Sequence, residues 1–155
     1  MLALSEMMTY FDNDIQEKYS DFLKELNNEK YYLSINTEMV EAVIKFNIAL
    51  LILDEEPKSN NLEIHVLYSD LLMTEFYTIM AKHNHYKILF DIVMLTKQSI
   101  TKKSNFFNSN TNLMIDDKKH LFFAPIEYLI TNGFLNESVN RKIEAFLDNG
   151  ENNER

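Results

Sequence analysis

The sequence predicts an all-α fold, a single bundle of about six to seven helices, and three observations carry that expectation. The 155-residue chain has two Gly and two Pro, too few for the turns an all-β chain of this length needs. Its apolar residues recur at steps of three and four. A balance of 46% hydrophobic to 25% charged residues is that of a folded domain with its own core, not of a disordered or collagen-like chain. One domain over residues 1–150 and a frayed tail at 151–155 follow.

The first helix is expected from about Ser5 to Leu26. Met8, Phe11, Ile15, Tyr19, Phe22 and Leu26 form an apolar stripe, and Asp12, Asp14, Glu17, Lys18, Asp21 and Lys24 take the other faces. Asn27-Asn28 ends it. Asn36 and Thr37 are N-cap residue types ahead of a second helix near Thr37 to Leu53, with Glu38 in its first turn. The later half of that helix, Val43, Ile44, Phe46 and the run from Ile48 to Leu53, is apolar on nearly every face. Such a helix belongs inside a larger helical body or between subunits. Asp54-Glu55-Glu56-Pro57 and Ser59-Asn60-Asn61 then make a loop.

The third helix, Leu62 to Lys82, also carries more apolar surface than one stripe requires, which points to an obligate interface. Lys82-His83-Asn84 breaks it. A fourth, from about His85 to Lys103, places Leu89, Ile92, Val93, Thr96 and Ile100 on one face, and Asn105 to Asn112 reads as the main internal loop. Two short helices follow, one over Leu113 to Phe123 and one with Pro125 in its first turn and Gly133 as its left-handed C′ residue. The last, about Asn136 to Leu147, shows Val139, Ile143, Phe146 and Leu147 on one face and is closed by Gly150.

Charge and composition exclude several function classes. A net charge of −9 opposes a phosphate backbone, so no nucleic-acid partner is expected, and Lys97, Lys102, Lys103, Lys118 and Lys119 read as solvated helix ends. The absence of cysteine rules out a disulfide framework and thiolate metal sites, which suits a cytoplasmic location. The start, MLALSEMMTYFDND, lacks the basic segment of a signal peptide. The longest apolar run, Ile48 to Leu53, is far short of the ~20 residues of a membrane span, so no transmembrane segment is expected.

Few residues suggest chemistry. His65, His83, His85 and His120 lack zinc-binding spacing and read as surface and helix-end histidines. Asp116-Asp117 reads as an acidic pair in a first helical turn. No serine sits in a nucleophile elbow and no Gly-rich phosphate loop exists, so no catalytic residue and no metal ligand is assigned to this chain. Asp70 stands out among Val66, Leu67, Leu71, Met73, Thr74 and Tyr77. Periodicity leaves open whether it faces a packed surface, where it needs a hydrogen-bond partner, or solvent.

The stretch VLYSDLLMTEFYTIMA, Val66 to Ala81, resembles the helix of all-trans polyprenyl diphosphate synthases written V-L-x-G-D-x-L-x-x-x-A-F. IALLILDEEP stands where those enzymes carry L-L-H-D-D-x-x-D. The pattern has decayed: Lys58 stands where the last aspartate should, Ser69 replaces the glycine before Asp70, and the following Arg-Arg-Gly and the second aspartate motif are missing. The chain is more similar to the small subunit, component I, of two-component hexaprenyl and heptaprenyl diphosphate synthases. Val66, Leu67, Asp70, Leu72, Phe76 and Tyr77 match V-L-x-x-D-x-L-x-x-x-F-Y, and HLFFAP, His120 to Pro125, is a weaker echo. The resemblance covers about Lys45 to Lys82, a quarter of the chain.

That resemblance implies a reduced isoprenoid-synthase bundle acting as a non-catalytic regulatory subunit. It would pair with a catalytic large subunit and help set product chain length in isoprenoid synthesis, such as that of menaquinone side chains. The large subunit would bind the allylic diphosphate, the isopentenyl diphosphate and the Mg ions. This chain would bind no cofactor, its Asp54, Glu55 and Glu56 being a degenerate, non-functional aspartate motif. The candidate partner interface is Val66, Leu67, Asp70, Met73, Thr74, Phe76 and Tyr77, with Phe76 and Tyr77 as anchors. Two alternatives stand beside it: a helical interaction module or homodimeric adaptor unrelated to prenyl transfer, and a free-standing prenyl-transferring enzyme using Asp54, Glu55 and Glu56 as metal ligands.

Overall fold

A computed structural model describes residues Phe22, Glu25, Leu26, 28–54, 62–109 and 114–153. Six α-helices are found among them: α1 (Thr37–Asp54), α2 (Leu62–Lys82), α3 (Tyr86–Ser109), α4 (Ile115–Phe122), α5 (Ala124–Thr131) and α6 (Val139–Asn153), with a 3-10 turn at Glu29–Tyr31. The chain is all-α, as its composition predicts. The expected first helix lies outside the described residues except for Phe22, Glu25 and Leu26, as do Glu55, Glu56 and Pro57.

The central element is α1. It packs along α2 and against α5 and α4, so the helix that is apolar all round is surrounded by the chain's own helices. Its burial is therefore met within the chain and calls for no partner subunit. Asn36 caps α1, its Oδ1 accepting from the Met39 amide at 3.3 Å. At the far end of α2 the left-handed Asn84 (φ 58°) turns the chain, and the His85 amide returns to the Met80 carbonyl at 2.8 Å.

α3 runs six residues beyond the expected Lys103, through Asn105 and Phe106, to Ser109, so the first half of the expected internal loop is helix. The polar tract NFFNS contains neither Gly nor Pro, and nothing in it forbids helical backbone. α3 faces the core through Ile88, Leu89, Ile92 and the buried Ser99, whereas Ile100 is more than half exposed. The expected apolar face thus turns away at its last member, because Ser99 occupies the inward position.

Between α4 and α5 only Phe123 leaves the helical path. Pro125 sits in the first turn of α5, where its missing N–H would be unpaired anyway. Gly133 has φ 77° at the C′ position, as its place in the sequence predicts. The segment after it returns to the Glu29–Tyr31 turn in an isolated antiparallel bridge, Tyr32 with Leu135, flanked by Leu33 N to Phe134 O at 3.0 Å and Asn136 N to Tyr31 O at 2.8 Å. No apolar alternation announces this pairing of two irregular segments.

α6 carries Val139 and Ile143 into the core with Phe146 and Leu147 beside them, but it continues past Gly150 to Asn153. Glycine lowers helix propensity without breaking the hydrogen-bond ladder, so it ends a helix only where φ turns positive. Phe22 stacks on Phe146 (centroids 4.3 Å) and meets the edge of Phe123 (5.8 Å), which closes the core at this side. No helix among the described residues is long and apolar enough to cross a membrane.

Candidate functional site

Helical geometry splits the seven residues of the predicted interface. At 100° per residue, Ser69, Leu72, Phe76 and Met80 fall on one side of α2, and all four are fully buried. Leu67 (62% exposed) and Thr74 fall opposite them, Val66 (45%), Asp70 and Tyr77 (46%) lie exposed on the flank between, and Met73 lies half-buried at the edge of the core. Phe76 is a core residue instead, stacked on Phe46 at 4.3 Å with 21° between the rings. The pairing of Phe76 with Tyr77 as surface anchors is corrected accordingly: neighbours on a helix point 100° apart, and only Tyr77 is available to another molecule. Tyr77 leans its ring on the edge of Phe46, centroids 6.4 Å apart, which holds it in place at the surface.

Asp70 faces solvent: the residue is exposed, and its backbone carbonyl accepts a hydrogen bond from Thr74 Oγ1 at 2.7 Å. On the exposed side from Val66 to Ala81, the described residues are Val66, Leu67, Asp70, Thr74, Tyr77, Thr78 and Ala81, so Asp70 is the one charge there. The result is an apolar and hydroxyl-bearing strip with a single carboxylate in its first half.

Of the acidic motif, Asp54 is described, and it is engaged internally. Lys103 Nζ donates to Asp54 Oδ2 at 2.6 Å and lies 4.7 Å from the centre of the Phe122 ring, joining the end of α1 to α3. Lys119 is held similarly. It reaches Glu144 at 2.9 Å and Asp116 at 3.5 Å, and the Glu144 hydrogen bond raises its pKa above the ordinary lysine value. Lys103 and Lys119 are thus part-buried ties between helices, with side chains 13% and 12% exposed, and not the solvated helix ends that their sequence neighbourhoods suggest.

His83, His85 and His120 are likewise engaged by neighbouring side chains. His83 Nε2 is 2.7 Å from Glu38, whose pKa the contact lowers, and His120 Nδ1 is 2.7 Å from Glu127. Asn36 Nδ2 donates to His85 Nε2 at 2.6 Å. Asp116 and Asp117 occupy the first turn of α4, as expected. Among the described residues no group of three or more His, Cys, Asp or Glu is placed to hold a metal ion.

Two polar residues inside the apolar run of α1 escape pattern reading. Lys45 reaches Glu75 of α2 at 3.1 Å and Glu41 at 3.4 Å, beside a small cavity of about 160 Å³. Asn47, fully buried, bridges the break between α4 and α5: its Nδ2 donates to the Phe122 carbonyl at 2.9 Å and its Oδ1 accepts from the Ile126 amide at 3.2 Å. One side chain thus meets a carbonyl at the end of α4 and an amide in the first turn of α5. The available signal was their isolation, since a lone polar residue in an all-round apolar helix has to find a buried partner.

Comparisons with protein-family models, with curated proteins and with solved structures return no match.

Proposed function

We propose that this chain is a non-catalytic subunit that pairs with a catalytic all-trans polyprenyl diphosphate synthase chain and helps set the length of its product. The observation that supports this reading is the exposed side of α2: Val66, Leu67, Asp70 and Tyr77, four of the six residues that resemble the small-subunit pattern, lie there, while the other two, Leu72 and Phe76, build the chain's own core. One helix thereby has a folding side and an outward side, and its outward side carries large apolar groups that a monomer gains nothing by exposing. The engagement of Asp54 by Lys103 fits a chain whose partner binds the magnesium and the two diphosphate substrates.

The test is co-expression with synthase chains that carry both aspartate motifs, followed by purification on a tag placed on this chain. The expected result is a stable hetero-oligomer making long polyprenyl diphosphates, with no turnover by this chain alone. A discrete homodimer that binds no such synthase and leaves its product length unchanged would instead favour an adaptor unrelated to prenyl transfer. Magnesium-dependent release of diphosphate by this chain alone would overturn the non-catalytic reading.

A further inference from the structure

Among the described exposed residues from Val66 to Ala81, Asp70 is the one charge, and this constrains what can cover that stretch. A partner that met Val66, Leu67 and Tyr77 with apolar groups alone would also take the Asp70 carboxylate out of water with no compensating charge. A second copy of this chain does no better. In a two-fold pairing of these strips, each side supplies the same residues: from Val66 to Ala81 the described exposed positions include no cation, and exposed Lys82 beyond them lies about 120° round the helix from Asp70. With a net charge of −9 on each copy, self-association through this face brings carboxylates together.

We infer that the α2 strip docks on a partner surface that is apolar and carries one cationic side chain, best a guanidinium, opposite Asp70. The inference rests on the proposed function for the identity of the partner and adds the chemistry of the contact. A guanidinium suits the place because its planar fork meets a carboxylate with two parallel hydrogen bonds and is weakly hydrated, so it can be desolvated inside an apolar rim. Val66, Leu67 and Tyr77 supply that rim, and Thr74, which holds the Asp70 carbonyl, fixes the backbone beneath the carboxylate. The apolar groups then give contact area and the ion pair gives register and choice of partner.

The test uses the full chain and a co-purified synthase chain, with dissociation constants measured by titration calorimetry at low and high salt. Asp70→Asn is expected to weaken binding about tenfold and flatten its salt dependence, and Asp70→Arg to abolish binding. An arginine-to-glutamate change in the partner that restores binding to Asp70→Arg identifies the opposing cation. Helix content by circular dichroism serves as the folding control, and Asp70, being exposed, tolerates both changes. If the Asn and Arg variants bind as tightly as the wild type, with the same salt slope, while Leu67→Glu disrupts binding, the opposing cation is refuted and the docking face stands. If the wild-type chain binds no such synthase, the proposed function falls and this inference falls with it.

Discussion

Lys45 Nζ and Glu75 Oε2 are 3.1 Å apart in the packing between α1 and α2, with side chains 11% and 6% exposed. The pair is asymmetric. Lys45 has a second carboxylate, Glu41, at 3.4 Å, whereas Glu75 Oε1 has no partner among the described residues. Removing the lysine strands a buried carboxylate, and removing the glutamate leaves the lysine still paired. Lys45→Ala is expected to destabilise the chain by about 3–5 kcal/mol and Glu75→Ala by clearly less. The double substitution Lys45→Met with Glu75→Leu should return close to wild-type stability. Urea unfolding of the four proteins checks this, and equal costs for the two single changes would contradict the asymmetry.

Phe76 and Tyr77 are neighbours in sequence with opposite expected effects. Phe76→Ala empties a core position stacked on Phe46 and should cost about 3–5 kcal/mol of stability. Tyr77→Ala removes a ring that is 46% exposed and should cost about 1 kcal/mol. Its larger effect is expected on complex formation. Melting temperature and partner affinity, measured on both variants, separate folding from docking: a Tyr77→Ala chain that melts like Phe76→Ala would place Tyr77 in the core.

What the sequence made legible, and what it hid, follows the reach of the forces involved. The boundaries of α2 at Leu62 and Lys82, the Asn36 cap of α1 and the Gly133 turn depend on local backbone chemistry, which the residues at those positions state directly. Which side of α2 faces outward depends on what α1 places against it, and the apolar excess on both sides masked the division between Phe76 and Tyr77. The partners that Lys45, Asn47, Lys103 and Lys119 find on other helices lie between 25 and 79 residues away in sequence, a separation that periodicity does not span. The Tyr32–Leu135 bridge joins two segments without any regular pattern and was hidden for the same reason.

Ser69 is fully buried and its Oγ has no hydrogen-bond partner among the described residues. A desolvated hydroxyl without a partner destabilises, and serine is also a weaker helix former than alanine. Ser69→Ala is therefore expected to raise stability by about 1 kcal/mol, which corresponds to a few degrees in melting temperature. Ser69→Gly removes the same hydroxyl but adds the entropic cost of glycine inside a helix, about 1 kcal/mol, and should leave stability near its starting value. Thermal melts of the two variants decide the point, and a destabilised Ser69→Ala would mean that the hydroxyl has a bonded partner in solution.

Tyr128 gives a prediction at the alkaline end. Its hydroxyl donates to Asp91 Oδ2 at 3.0 Å, and its pKa is pushed up from 10.0 to about 12, first by burial and then by the hydrogen bond to Asp91 and the carboxylate charge. Asp91 responds in the opposite direction, its pKa lowered by Lys87 and by the Tyr128 hydroxyl. Because the folded chain holds the phenolic proton more tightly than the unfolded chain does, the contribution to stability is complete below pH 10 and is lost as the pH rises toward about 12. Among the eight tyrosines, Tyr128 should be a late titrator when tyrosinate absorbance is followed with pH. Tyr128→Phe should remove that late step and reduce the loss of melting temperature over the same interval. Asp91→Asn should bring the step earlier while leaving it above the ordinary tyrosine value, since burial, the larger cause, remains. A titration curve for Tyr128→Phe that differs from the wild type only by loss of an ordinary phenol would show that the Asp91 contact does not hold the proton.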